Sequence, residues 1–274
     1  MNFELPFIPE REQKQRNTGI TMVMDKGLSL RQTENFIEAC GDLVDVVKFG
    51  FGTSAFTNHL QDKINLYKQA NIRPYFGGTL FEAYIVRNML DDYLKIIAKY
   101  NLDLAEISDG SMKIEPEDKL QYIEKLAASV TVLSEVGSKQ RGVFISPKQW
   151  VNMMKSELDA GAWKVIAEAR ESGTIGIYNA DGSANEALVN SIINEVKTEN
   201  ILWEAPSGKQ QVWFIKLLGA NVNLGNIAPD LVIPLECLRT GLRGDTFFDF
   251  LPEELRESSN PLRDTISTHV DFQI

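Results

Sequence analysis

The sequence is poor in the residues that redox and zinc proteins depend on. Cysteine and histidine each occur only twice in 274 residues. Cys40 and Cys237 lie far apart and outside any Cys-x-x-Cys spacing, so both read as buried thiols of a protein in a reducing compartment. His59 falls in a helical stretch and His269 in the tail, away from the strand ends described below, which disfavours zinc. No apolar run approaches the length needed to cross a bilayer. The first stretch, MNFELPFIPEREQKQRNTG, mixes charges with two prolines where a secretory signal would carry an apolar run. It reads as an irregular arm, residues 1–19, of a cytoplasmic protein. Positive charge is in deficit. Against 38 Asp and Glu there are 28 Lys and Arg, a formal charge of -10, which argues against a general nucleic-acid-binding surface. A local cluster of cations can still receive a small anion. The Gly-x-Gly-x-x-Gly fingerprint of dinucleotide-binding folds is missing from the first strand-to-helix turn, which reads Asp25-Lys26-Gly27.

What the chain does contain is a repeated unit. Hydrophobic residues make up 43% of it, enough for a large core. Short apolar, β-branched runs recur at Ile20–Met24, Val44–Lys48, Arg73–Phe76, Leu102–Ile107, Val130–Leu133, Trp163–Ala167, Ile201–Trp203 and Val222–Leu224. Each is followed by polar residues and then a helical pattern. Helix starts are signalled by Pro116, by Ser146-Pro147-Lys148-Gln149 and by Ser207-Gly208-Lys209-Gln210, the last two having the form of capping boxes. The units repeat at about 28 residues, the size of a βα unit in a (β/α)8 barrel. The expected fold is a single-domain α/β TIM barrel over residues 20–245, with residues 246–274 packed outside as an extension. A doubly wound open sheet is the competitor, and it would normally have fewer strands.

In such barrels the site lies at the C-terminal ends of the strands. The residues there form an unusual set. Lys26, Lys48, Lys139, Arg170 and Lys209 supply cations, and Asp25, Glu82, Glu106, Asp109, Glu135, Glu168 and Glu204 supply carboxylates. Buried charges are costly unless paired or bound to metal. The set is therefore either a structural salt-bridge network or a site for a small polyanion with a hard divalent cation such as Mg2+. Ser207, Gly208 and Lys209 open a helix after the seventh strand, and Asn223, Gly225 and Asn226 end the eighth. Loops after these two strands frequently hold phosphate in this fold.

Nine ordered stretches between Thr21 and Thr246 carry a resemblance: TMVMDKG, CGDLVDVVKFGFGTSA, GGTLFE, AEISDGS, VLSEVGSK, DAGAWKVIAEARESG, EAPSGKQQVWFI, VNLGNIA and LECLRTGLRGDT. The chain resembles the phosphosulfolactate synthase family of coenzyme M biosynthesis, which adds sulfite to phosphoenolpyruvate. The resemblance implies a Mg2+-dependent (β/α)8 barrel and a carbon–sulfur lyase acting on small molecules. It also implies a lysine general acid, here Lys139. Two departures stand out. Ser138 replaces the first of two lysines common in the family, and residues 140–150 differ from the usual loop. Plant heat-stress-associated proteins are distant relatives that lack several of these stretches.

On this reading Lys48 and Arg170 face the sulfite and carboxylate, and Lys26, Ser207, Lys209, Asn223 and Asn226 bind substrate, with Lys209 and Asn226 on its phosphate. Glu135 and Glu168 lead the metal ligands, with Glu106 and Asp109 next. A homo-oligomer is expected. Two alternatives stay open: another Mg2+-dependent barrel enzyme acting on phosphoenolpyruvate, and a non-catalytic stress-associated paralogue. Retention of Lys48, Glu135, Lys139 and Arg170 argues against the second.

Overall fold

Residues 1–137, 145–169 and 173–258 are described in a computed structural model. Eight parallel strands alternate with helices in a nearly closed (β/α)8 barrel. The strands are β1 (Thr21–Asp25), β2 (Val46–Phe49), β3 (Arg73–Phe76), β4 (Leu104–Ile107), β5 (Thr131–Val136), β6 (Lys164–Ala167), β7 (Ile201–Glu204) and β8 (Leu224–Ile227). The helices are α1 (Leu30–Cys40), α2 (Leu60–Gln69), α3 (Gly78–Ile85), α4 (Leu90–Lys99), α5 (Pro116–Ala127), α6 (Pro147–Asp159), α7 (Glu186–Ile193), α8 (Gly208–Leu218), α9 (Val232–Arg239) and α10 (Glu253–Ser258).

The spacing of side chains along each strand explains how the barrel is filled. Residues two apart share a face. The outward set, including Val23, Val47, Ala105, Val165 and Trp203, packs under the helices in the main core. The inward set begins with a separate apolar plug of Ile20, Met22, Val46, Tyr75, Leu104, Leu133, Ile166 and Leu202. Two residues further along the same strands the character changes. Val46 is followed by Lys48, Leu104 by Glu106, Leu133 by Glu135, Ile166 by Glu168 and Leu202 by Glu204. The barrel is thus greased below and charged above, and the charged layer is as buried as the apolar one.

Backbone ladders join the strands in the order β3-β2-β1-β8-β7-β6-β5-β4. Among the described residues β3 and β4 share no ladder, and side chains close that seam. At its lower end Arg73 pairs with Asp103 at 2.8 Å and donates to Thr131 Oγ1 at 2.8 Å. At its upper end Glu106 of β4 accepts from Tyr75 O–H at 2.8 Å and from Gly78 N–H at 2.6 Å. Gly78 must be glycine for this approach, because a Cβ there would run into Ser108 and Glu106.

Two expectations change. The helical stretch after β3 is two helices, broken at Asn88, which takes the left-handed conformation (φ 55°) that asparagine tolerates. The eighth strand starts at Leu224 rather than at Val222, because Gly225-Asn226, a turn signal in isolation, is drawn into the sheet. Thr21 and Val23 of β1 pair with Leu224 and Ile227, two residues against three, so β8 carries a bulge with Asn226 at φ 57°.

The floor of the barrel is tied by cations that donate to backbone carbonyls. Arg16 of the arm pairs with Asp45 at 2.9 Å, and Lys14 donates to the carbonyls of Gly41 and Ala70 at 2.8 and 3.1 Å. Arg239, fully buried at the end of α9, donates to Ala220, Val222 and Ile20 at 2.5, 2.7 and 3.3 Å. We expect Arg239→Met to lower the unfolding free energy by about 1–3 kcal/mol, since it takes a donor from the buried Val222 carbonyl and leaves those of Ala220 and Ile20 with only Arg11 and Leu224 N–H. Denaturant titration checks this, with an unchanged m-value. A loss below about 0.5 kcal/mol, the size of an ordinary surface change, would refute the role.

Candidate active site at the barrel mouth

Lys48 is the hub of the charged layer. It enters from β2 with its side chain 6% exposed, and its ammonium lies 3.0 Å from Glu106, 3.4 Å from Glu204 and 3.5 Å from Glu135. Burial alone would lower its pKa. The carboxylates of Glu106, Glu204, Glu135 and Glu168 outweigh that and hold it well above the usual lysine value. Lys48 is therefore a fixed positive charge at neutral pH.

The glutamates divide into two groups. Both oxygens of Glu106 are committed, one to Gly78 N–H and the other to Tyr75 O–H and Lys48. Burial and then the charge of Glu106 keep the Tyr75 phenol well above its usual pKa, so it stays a donor. Glu135, Glu168 and Glu204 form the second group. One carboxylate oxygen from each lies within 4.8 Å of the others, and all three residues are buried. An all-oxygen set this tight suits a hard divalent cation. Glu204 also accepts from Ala169 N–H at 2.8 Å, which fixes its orientation.

The other expected site residues are placed as follows. Asp109 pairs with Lys119 at 2.8 Å. Lys119 is buried on α5 and also reaches Glu157 at 2.9 Å and the carbonyl of Glu135 at 2.7 Å. Asp109 and Glu106 therefore anchor lysines, while the close trio draws in Glu204 instead. Lys26 is exposed just after β1, and its side chain passes Gly50. The loop beneath it hangs on Asp25, which accepts from Gly27 N–H and Leu28 N–H at 2.8 Å each, pairs with Lys63 at 2.6 Å and accepts from Tyr67 O–H at 2.9 Å. Ser207 is the N-cap of α8, and its hydroxyl accepts from Gln210 N–H. Lys209 is exposed in the first turn of α8, on a cleft of about 800 Å3. Asn226 is buried in the β8 bulge, and its Oδ1 has no hydrogen-bond partner among the described residues.

Asn223 is a correction. It precedes β8 and lies at the opposite, N-terminal end of the barrel. Its side chain accepts from Ile20 N–H at 3.0 Å and donates to Glu199 and Ile201 carbonyls at 3.1 and 3.0 Å. It ties the floor and does not reach the mouth. The misplaced start of the eighth strand is the cause. Lys139 and Arg170 lie outside the described residues. Tyr75 and Lys119 carry no local signal of their roles. Glu204 did carry one, since it holds the same inward strand-end position as Glu135 and Glu168.

A (β/α)8 barrel whose mouth sets a buried ammonium beside three converging carboxylates is built for small charged ligands. Residues 9–245 match the model of the (2R)-phospho-3-sulfolactate synthase family. The chain is 40% identical over 244 residues to phosphosulfolactate synthase of Methanothermobacter thermautotrophicus, covering 87% of this chain and 95% of that one. It is 41% identical over 235 residues to phosphosulfolactate synthase of Methanocaldococcus jannaschii, covering 84% and 94%. Among solved structures, 3-hexulose-6-phosphate synthase shares the fold, with a TM-score of 0.51 at 13% identity, covering 80% of this chain and 99% of that one. The chain belongs to the (2R)-phospho-3-sulfolactate synthase family.

Removing the hub should leave the acidic layer without its central cation. We expect Lys48→Met to cost about 3–5 kcal/mol of stability at pH 8, the usual range for an uncompensated buried charge. Without Lys48 the native carboxylates take up protons more readily than the unfolded ones, so the deficit should shrink as pH falls to 5.5. Denaturation at the two pH values reads the difference. A deficit that is constant or larger at pH 5.5 would show that Lys48 does not neutralise this layer.

Proposed function

We propose that the chain joins sulfite to phosphoenolpyruvate in a Mg2+-dependent addition that yields (2R)-2-O-phospho-3-sulfolactate, a carbon–sulfur lyase-class reaction. The observation that carries this is family membership over nearly the whole barrel, combined with a mouth that pairs a fixed ammonium with an all-oxygen carboxylate trio. In the reaction the sulfur lone pair forms a bond to the methylene carbon. The double-bond electrons move toward the substrate carboxylate, and a proton is delivered to the carbon bearing the phosphate ester. No bond to phosphorus breaks.

The residues fit this scheme by charge and position. Glu135 and Glu168, with Glu204, would hold Mg2+, which supplies Lewis-acid charge for the substrate carboxylate. Glu106 and Asp109 support that set through Lys48 and Lys119. Bringing two anions together is opposed by their mutual repulsion, and preorganised cations offset it without reorganising during the reaction. We assign Lys48 and Arg170 to orienting sulfite and carboxylate, and Lys209, Ser207 and Asn226 to the phosphate, with Lys26 at the rim. The glutamates around Lys48 raise its pKa and favour its charged form, which suits it to holding an anion. The donor on this reading is Lys139.

Incubation with phosphoenolpyruvate, sulfite and Mg2+ should consume the vinyl absorbance, with no turnover when sulfite is omitted or the metal is chelated. Equal consumption without sulfite would discard the proposed reaction. Lys139→Met should lower kcat by about 10²–10⁴-fold, the usual worth of a positioned proton donor. A variant within about threefold of wild type would move that role to another group. Lys209→Ala should raise KM for phosphoenolpyruvate with a smaller effect on sulfite, because a charge-assisted contact to phosphate is lost. An unchanged KM would place the phosphate elsewhere.

A further inference from the structure

Among the described residues three capping boxes share one form, and one of them is built differently. Ser29 with Gln32 and Ser146 with Gln149 start α1 and α6, and both glutamines are exposed. Gln210, in the third box, is only 4% exposed. Its Oε1 accepts from Ser207 N–H at 3.1 Å, the ordinary capping contact. Its Nε2 donates away from the helix, to the carbonyls of Gly173 at 3.0 Å and Gly182 at 3.2 Å. Capping a helix requires neither burial nor these two bonds.

The segment so gripped is bonded to the main chain of two members of the acidic trio. Within it, Ile177 N–H donates to the carbonyl of Glu168 at 3.1 Å, and Tyr178 O–H donates to the carbonyl of Glu204 at 2.6 Å. Asn185 N–H closes the segment on the Ile177 carbonyl at 2.9 Å. At Gly173 a Cβ would collide with the Gln210 carboxamide, so the two are in direct contact. One side chain therefore joins the segment bonded to the Glu168 and Glu204 carbonyls to the entrance of α8, where Ser207 and Lys209 stand. The cleft of about 800 Å3 between them is walled by both.

We propose that Gln210 is a positioning residue that sets the phosphate end of the substrate site at a fixed distance from its carboxylate end. This rests on the function proposed above. A substrate held at both ends is sensitive to their separation, and a shift of about 1 Å can cost on the order of 10²-fold in rate. Gln210→Glu separates this role from capping. It keeps the shape and the acceptor for Ser207 N–H, but it cannot donate to Gly173 or Gly182.

The experiment compares wild type and Gln210→Glu by steady-state kinetics and by amide hydrogen exchange. The variant should show KM for phosphoenolpyruvate raised about tenfold or more, KM for sulfite within about twofold of wild type, and faster exchange at Ile177 and Asn185. Unchanged KM with unchanged exchange overturns the proposal, and so does an equal rise in both KM values. If wild type itself does not turn over phosphoenolpyruvate with sulfite, the proposed function fails. Faster exchange at Ile177 and Asn185 then still supports the coupling, and unchanged exchange overturns it.

Discussion

The contact of Lys48 with the glutamates around it is the constraint on which the upper half of the barrel depends. Four strands direct a glutamate into the space that β2 fills with one lysine. Taking any of these charges out of water costs several kcal/mol, so the arrangement persists only because each group is placed against an opposite charge or a donor. Glu106 shows how far this goes. It neutralises Lys48, takes the Tyr75 and Gly78 donors and closes the one seam without a ladder among the described strands. The same carboxylate is thus part of the wall and part of the site. Its removal would open both.

A second ring of buried lysines serves the first. Lys63 on α2 holds Asp25 beneath the loop that carries Lys26, and Lys119 on α5 holds Asp109 and the main chain of Glu135. In both cases the long apolar stem crosses the core from the helix layer, and the ammonium ends at a strand terminus. Burial works against the charge of Lys119, yet its carboxylate neighbours keep its pKa raised. Such residues fix the backbone from behind, leaving the mouth-facing side chains to meet ligand.

Much of the fold was legible because its signals are local. Apolar runs of three to six residues, each followed by a helical period, are set by pleat and helix geometry, and they recur eight times. The signal failed where packing overrode it. Gly225-Asn226 reads as a turn and becomes a bulge within β8, which misplaced Asn223 by the length of the barrel. In the site, Lys48, Glu135 and Glu168 were legible from their position two residues beyond an inward apolar side chain. Glu204 shares that position, but that its carboxylate meets those of Glu135 and Glu168, and that Asp109 belongs to Lys119, depends on how the strands and the helix behind them pack. These contacts join residues as far apart as Lys48 and Glu204, 156 positions in sequence. No local pattern encodes them.

The electrostatics impose a division of labour between strands and loops. A group that gives up a proton near neutral pH needs a pKa close to that pH. Lys48 is driven the other way by the glutamates that make its burial tolerable, and Tyr75 is pushed up by burial and by Glu106. The rigid strand residues can hold charge and direction, but the network that stabilises them also removes them from acid–base exchange. The proposed donor, Lys139, follows β5 in sequence and is not one of the strand residues whose charge this network fixes. In this barrel the cost of burying charge constrains where acid–base chemistry can be carried.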